Sequence, residues 1–118
     1  MSFINHITLL GNLCNDPEVR FTSGGTPVAN FRLATNERGS VDDTTGKPRQ
    51  HTNFHNVVVW GKLAEVCGQY LKKGRRIILD GRIQYREYAD KEGATKHVTE
   101  IVSRDVRFLD APPTDSAN

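Results

Sequence analysis

Phe54 and Trp60 lie at even spacing in the run NFHNVVVW, so a β-strand would place both rings on one face together with Asn56 and Val58. Rings on the open side of a sheet can stack nucleic-acid bases, while nearby Lys and Arg take the phosphates. Tyr88 joins them by the same alternation, which puts it on a strand face with Asp80, Arg82, Gln84 and Arg86. The expected backbone-contact cations are Lys62, Lys72, Lys73, Arg82 and Arg86, of which Arg82 and Arg86 share the face of Tyr88. A second reading stays open: Phe54 and Trp60 could instead point inward as core, and Tyr85, on the apolar face with Ile83, could be core or line a subunit contact.

Catalysis finds no comparable pattern. The chain has no lysine-bearing phosphate loop, dinucleotide glycine fingerprint, nucleophile elbow or HExxH zinc helix. Gly24-Gly25 runs into Thr26-Pro27 instead of a helix, which argues against a phosphate cradle. His6, His51, His55 and His97 are scattered, and His55 lies on a Val-rich face suited to packing or an interface. Asp80 neighbours Arg82, and Glu87 and Asp90 flank a turn, so no carboxylate pair is set up for acid–base work or for two metals. A binding protein without catalytic residues, metal or cofactor is expected.

Stepping outward, 118 residues suit one domain with a single small core. A net charge of +2 says little about a polyanionic partner, but residues 62–107 hold eleven basic against seven acidic residues. Cys14 and Cys67 are too few for a disulfide framework, which points to reduced thiols in a cytosol-like compartment. The opening MSFINHITLLGN lacks a basic leader and reads as a strand, and nowhere do 18 apolar residues follow one another, so neither a targeting segment nor a membrane association is expected.

The elements that must position the rings follow from periodicity. Residues 3–12 form a first strand with Ile7 and Leu9 on one face and Ile4 and Leu10 on the other, which asks for a core on one side and a neighbouring subunit on the other. A short stretch at 19–21 lies between turn signals, and residues 28–35 form a long strand with Ala29, Phe31 and Leu33 opposite Asn30 and Arg32. The polar stretch 36–51 reads as a long loop or loose hairpin. After the strand at 53–60, Leu63, Val66, Cys67, Tyr70 and Leu71 recur at helical spacing, with Lys72 and Lys73 in the last turn and Gly74 closing it. Strands at 76–88 and 96–109 joined by a turn at 90–93 complete five strand regions with one helix after the third. These are compatible with an oligonucleotide-binding barrel, and equally with a five-stranded sheet of other connectivity.

Four stretches carry a resemblance. INHITLLGNL at 4–13, DPEVRF at 16–21, VANF at 28–31 and WGKLAEV at 60–66 resemble, in order and separation, signatures of the bacterial single-stranded DNA-binding protein family across residues 3–109. The resemblance implies an all-β oligonucleotide-binding barrel over 1–109, a Greek key of five strands with extended hairpin loops, followed by a short polar tail at 110–118. It further implies a homotetramer, in the bacterial cytoplasm at the nucleoid, that wraps single-stranded DNA without regard to sequence in replication, recombination and repair. Phe54, Trp60 and Tyr88 match family stacking positions, His55 matches a position associated with subunit assembly, and Ile4, His6 and Thr8 are expected at the interface beside it. Two departures stand out. A further stacking ring is absent around Gly39-Ser40, and the chain stops at Ser116-Ala117-Asn118 without the acidic tip that recruits replication and repair proteins, so recruitment by that route is not expected. The alternative within the same fold is a primosome-type dimer that assembles replication factors on DNA.

Overall fold

The computed structural model describes residues 2–41 and 43–109, in the order β1 (Ile7–Leu13), β2 (Glu18–Phe21), β3 (Pro27–Val41), β4 (Pro48–Trp60), α1 (Lys62–Tyr70), β5 (Arg76–Ala89) and β6 (Thr95–Phe108). Five strands close a barrel. Strand β1 pairs with β5, β5 with β6, β6 with β4 and β4 with β3, and β3 returns to β1 through Ala34 opposite Asn12 and Leu33 opposite Leu13. Among the described residues only the short β4–β6 contact is parallel. Strand β2 lies outside the closed ring, paired to β3 alone. This is the oligonucleotide-binding architecture, with the helix after the third barrel strand.

Alternation explains what fills it. Ala29, Phe31 and Leu33 of β3 face Val57 and Val59 of β4, and Ile77 and Leu79 of β5 complete the lining with Leu13 and Ile101. Each such large side chain contributes ~1.5 to 3 kcal/mol on burial. Helix α1 lays Ala64 and Cys67 onto this cluster and packs across β3, β2, β4 and β6, closing one end of the barrel. Gly61, at φ 71, makes the strand-to-helix corner that few other residues tolerate. Burial pushes the Cys67 thiol up to about 11, so it serves as an inert packing group.

The structure sharpens or changes several expectations. The stretch 36–51 is a strand hairpin, with β3 and β4 paired out to Arg38 opposite Gln50 and Val41 opposite Pro48. Its polar side chains bond across the ladder instead of ending it: Thr52 Oγ1 donates to Asn36 at 2.7 Å and Asn53 Nδ2 to Glu37 at 2.6 Å. Strand β1 begins at Ile7, not residue 3, because before it the Asn5 side chain takes over pairing, bonding both N–H and C=O of Ile83. The helix ends at Tyr70, since the buried Leu71 turns to an extended conformation, and Lys72 and Lys73 therefore follow the helix. Tyr85 is 75% exposed, on the part of the β5–β6 hairpin that runs beyond the barrel, which removes the core option for it and leaves the subunit-contact option. The tail expected at 110–118 lies outside the described residues.

Candidate nucleic-acid interface

The face of β3 and β4 turned away from the core carries the rings, which excludes core packing for them. Val57 and Val59 point inward, so Phe54, Asn56, Val58 and Trp60 point the other way, with Phe54 54% and Trp60 49% exposed. Phe21 of β2 is exposed as well, and Tyr88 on the β5–β6 hairpin is half exposed. A small chain that leaves this much ring surface in water forgoes the gain of burying it, a common mark of a binding site.

Two clefts run into one another along this face. One, of about 330 Å³, is lined by Arg20, Phe21, Val28, Val58, Trp60, Gln84 and Arg86, and the other, of about 260 Å³, by Asn15, Glu18, Arg32, Asn56 and Val98. Both are walled by Asn30 and Glu100, which makes them successive parts of a single groove. Register produces this arrangement: Val28 lies opposite Trp60, Asn30 opposite Val58, and Arg32 opposite Asn56. Rings therefore alternate along the groove with amides and guanidinium groups, a surface that offers π faces to bases and donors to phosphates.

Charge in the groove is organised in pairs. Arg20 donates to Glu18 at 2.8 Å in an exposed contact. Arg86 Nε donates to Glu100 at 2.7 Å, and Gln84 Nε2 reaches the same oxygen at 3.0 Å. Glu100 is 5% exposed, and its hydrogen bond followed by its charge raises the Arg86 pKa above the ordinary arginine value, so that guanidinium stays cationic. Arg86 also lies 5.9 Å from the Tyr88 ring centroid, and Arg32 lies 4.7 Å from that of Phe54.

Of the residues expected to bind nucleic acid, Trp60 and Arg86 line the groove, while Phe54 and Tyr88 lie beside its Arg32 and Arg86. Arg82 is exposed on β5, opposite Val102, outside both clefts. Lys62 opens α1 and pairs with Glu65 at 3.6 Å, while Lys72 and Lys73 follow the helix, where the Lys73 N–H donates to Asp16 at 2.8 Å. Arg20, Phe21, Arg32 and Glu100 were not expected there, and Asn56 was expected only on the face of the rings. Alternation already sets Asn30 and Arg32 opposite the apolar face of β3, which was the available signal; the contribution of β2 and the burial of Glu100 depend on strands meeting across the fold.

The residues expected at a subunit interface lie elsewhere. Ile4 is 92% exposed, and Thr8 Oγ1 donates to Asp80 at 2.6 Å with His6 Nε2 3.2 Å from the same hydroxyl. His55, on the core side of β4, holds Thr35 Oγ1 at 2.9 Å, and burial lowers its pKa below the ordinary 6.5. Because the folded chain resists this proton, the unfolded chain takes it up first as pH falls, and stability drops below pH 6.5. Thermal unfolding of His55→Gln should thus lose less Tm than the unaltered chain between pH 7 and pH 5; equal losses would show that His55 does not contribute.

Comparison with known proteins agrees with this geometry. The model of the single-strand binding protein family matches residues 4–109. A curated relative from Chlorobaculum tepidum, single-stranded DNA-binding protein 1, is 47% identical over 109 residues, a match that covers 92% of this chain and 66% of that protein's length. A solved structure titled Plasmodium falciparum SSB complex with ssDNA superposes with a TM-score of 0.82 at 32% identity, over 93% of this chain and 98% of that one. The match runs through every strand and the helix, and the chain therefore belongs to the single-strand binding protein family.

Proposed function

We propose that this chain binds and shields single-stranded DNA with little base selectivity, by stacking and charge and without catalysis. The observation that carries the reading is the continuous groove lined by exposed Phe21 and Trp60 among amide and guanidinium groups, with exposed Phe54 and Tyr88 beside its Arg32 and Arg86. Single-stranded bases can leave their own stack to meet such rings, whereas a duplex keeps its π faces inside. The family relatives, named for single-stranded DNA binding, support the same ligand. Replication, recombination and repair in a bacterial cytoplasm form the setting in which such protection is needed.

Assembly as a homotetramer is part of this reading. Along Ile7–Leu10 strand β1 pairs only with β5, which leaves its other edge open for a second copy, and Ile4, His6 and Thr8 lie next to that edge. The test joins two measurements at fixed salt: competition between single-stranded and duplex DNA by fluorescence titration, and light scattering of the free protein. Strong preference for the single strand and a four-chain mass are expected. Equal affinity for duplex would defeat the ligand assignment, and a one- or two-chain mass at micromolar concentration would defeat the tetramer, the two-chain result favouring the primosome-type dimer.

A further inference from the structure

The groove presents a contradiction: a protein read as binding a polyanion keeps a carboxylate, Glu100, nearly fully buried in the wall shared by both clefts. Its partners resolve this. Glu100 Oε1 accepts from Arg86 at 2.7 Å and from Gln84 at 3.0 Å, so one oxygen fixes two side chains. Arg86 is half exposed while Glu100 is buried, so the pair carries no net charge, and a phosphate that drew Arg86 away would strand a buried carboxylate. Arg86 is thereby held in the wall by Glu100, beside Tyr88.

Arg32 has the opposite surroundings. It is exposed, no carboxylate among the described residues comes within 4.0 Å, and its guanidinium lies 4.7 Å from the Phe54 centroid, beside the neutral amide of Asn56. Arg20, the remaining arginine of the groove, already has Glu18. We propose that Arg32 is the phosphate-binding cation of this groove, with the Phe54 ring setting its height, while Arg86 is a positioning residue that Glu100 has neutralised. This rests on the single-stranded DNA reading above, and it moves to Arg32 the phosphate role that strand alternation suggests for Arg86.

Salt dependence separates the two roles, since each phosphate neutralised on a single strand adds about 0.7 to the slope of log K against log salt. The probe is a dT oligonucleotide, titrated by fluorescence across a salt series with R32Q, R32K and the double variant R86Q/E100Q. R32Q should flatten the slope by about 0.7 for each barrel engaged, and R32K should restore it. R86Q/E100Q replaces a neutral pair by a neutral pair; it should lose affinity severalfold through a displaced Tyr88 yet keep the original slope. An unchanged slope in R32Q overturns the assignment, as does a loss in R86Q/E100Q equal to that in R32Q. Should the double variant not fold, R32Q and R32K still decide the role of Arg32. Failure of the unaltered protein to bind the oligonucleotide would overturn the ligand reading itself, a result distinct from either slope.

Discussion

Removing both central rings, Trp60→Ala with Phe54→Ala, should weaken single-stranded DNA binding by ~2 to 6 kcal/mol, because each stacked base is worth ~1 to 3 kcal/mol. Neither ring belongs to the buried cluster, and each is about half exposed. Folding should therefore suffer little: denaturant midpoints should stay close to the original, whereas a true core ring would cost ~3 to 5 kcal/mol of stability on truncation. The single variants must be measured as well, since bases bound by neighbouring rings are coupled and the two losses need not add. A stable Trp60→Ala variant with native affinity would remove Trp60 from the site even if the chain still bound single strands. Quenching of Trp60 fluorescence on adding oligonucleotide would agree with stacking, but the paired binding and unfolding measurements carry the decision.

Gly81→Ala should destabilise the fold by ~3 kcal/mol, the range in which overpacking forces backbone to move. A Cβ at position 81 would come within 2.2 Å of the Val102 carbonyl oxygen and 3.0 Å of Ser103 Cα. That approach arises from a bulge: Asp80 faces Asp105 while Gly81 faces Ser103, so Arg104 is the extra residue and β6 presses onto β5. Gly11 repeats the situation where β1 meets β3, with the Ala34 carbonyl oxygen 2.2 Å from a built Cβ, and Gly11→Ala should be comparably costly. Gly24→Ala is the control, because its nearest neighbour lies 3.9 Å away. Urea unfolding checks all three; a Gly81→Ala midpoint equal to that of Gly24→Ala would show that the barrel can open at this corner without cost.

Barrel stability and the proposed binding thus involve different residues. Glycine corners and the apolar cluster set whether the strands close, while the groove residues lie on the outer face of the same strands. Because alternation assigns successive side chains to opposite faces, substitutions at Trp60 and at Val59 should report on different properties although the two are adjacent.

How much of this was legible in the residues differs by feature. Period two alone separated Ala29, Phe31 and Leu33 from Asn30 and Arg32, and put Phe54 with Trp60, because side-chain direction in a strand depends only on parity. It could not say which face was wet. That required the β4–β6 pairing and the helix to cover Val57 and Val59, leaving Trp60 outside. The polar stretch 36–51 left loop and loose hairpin open because polarity reports solvent, not backbone pairing; the ladder there exists because β3 and β4 are already held in register below it. Helix periodicity identified α1 correctly in kind but carried it too far, since Leu71 is drawn into the core in an extended conformation. The burial of Glu100, its hold on Arg86 and the isolation of Arg32 were beyond the sequence altogether. Charge type is local, but pairing depends on which strands the closed barrel makes neighbours: Glu100 meets Arg86 across β5–β6, while Arg32 faces an asparagine.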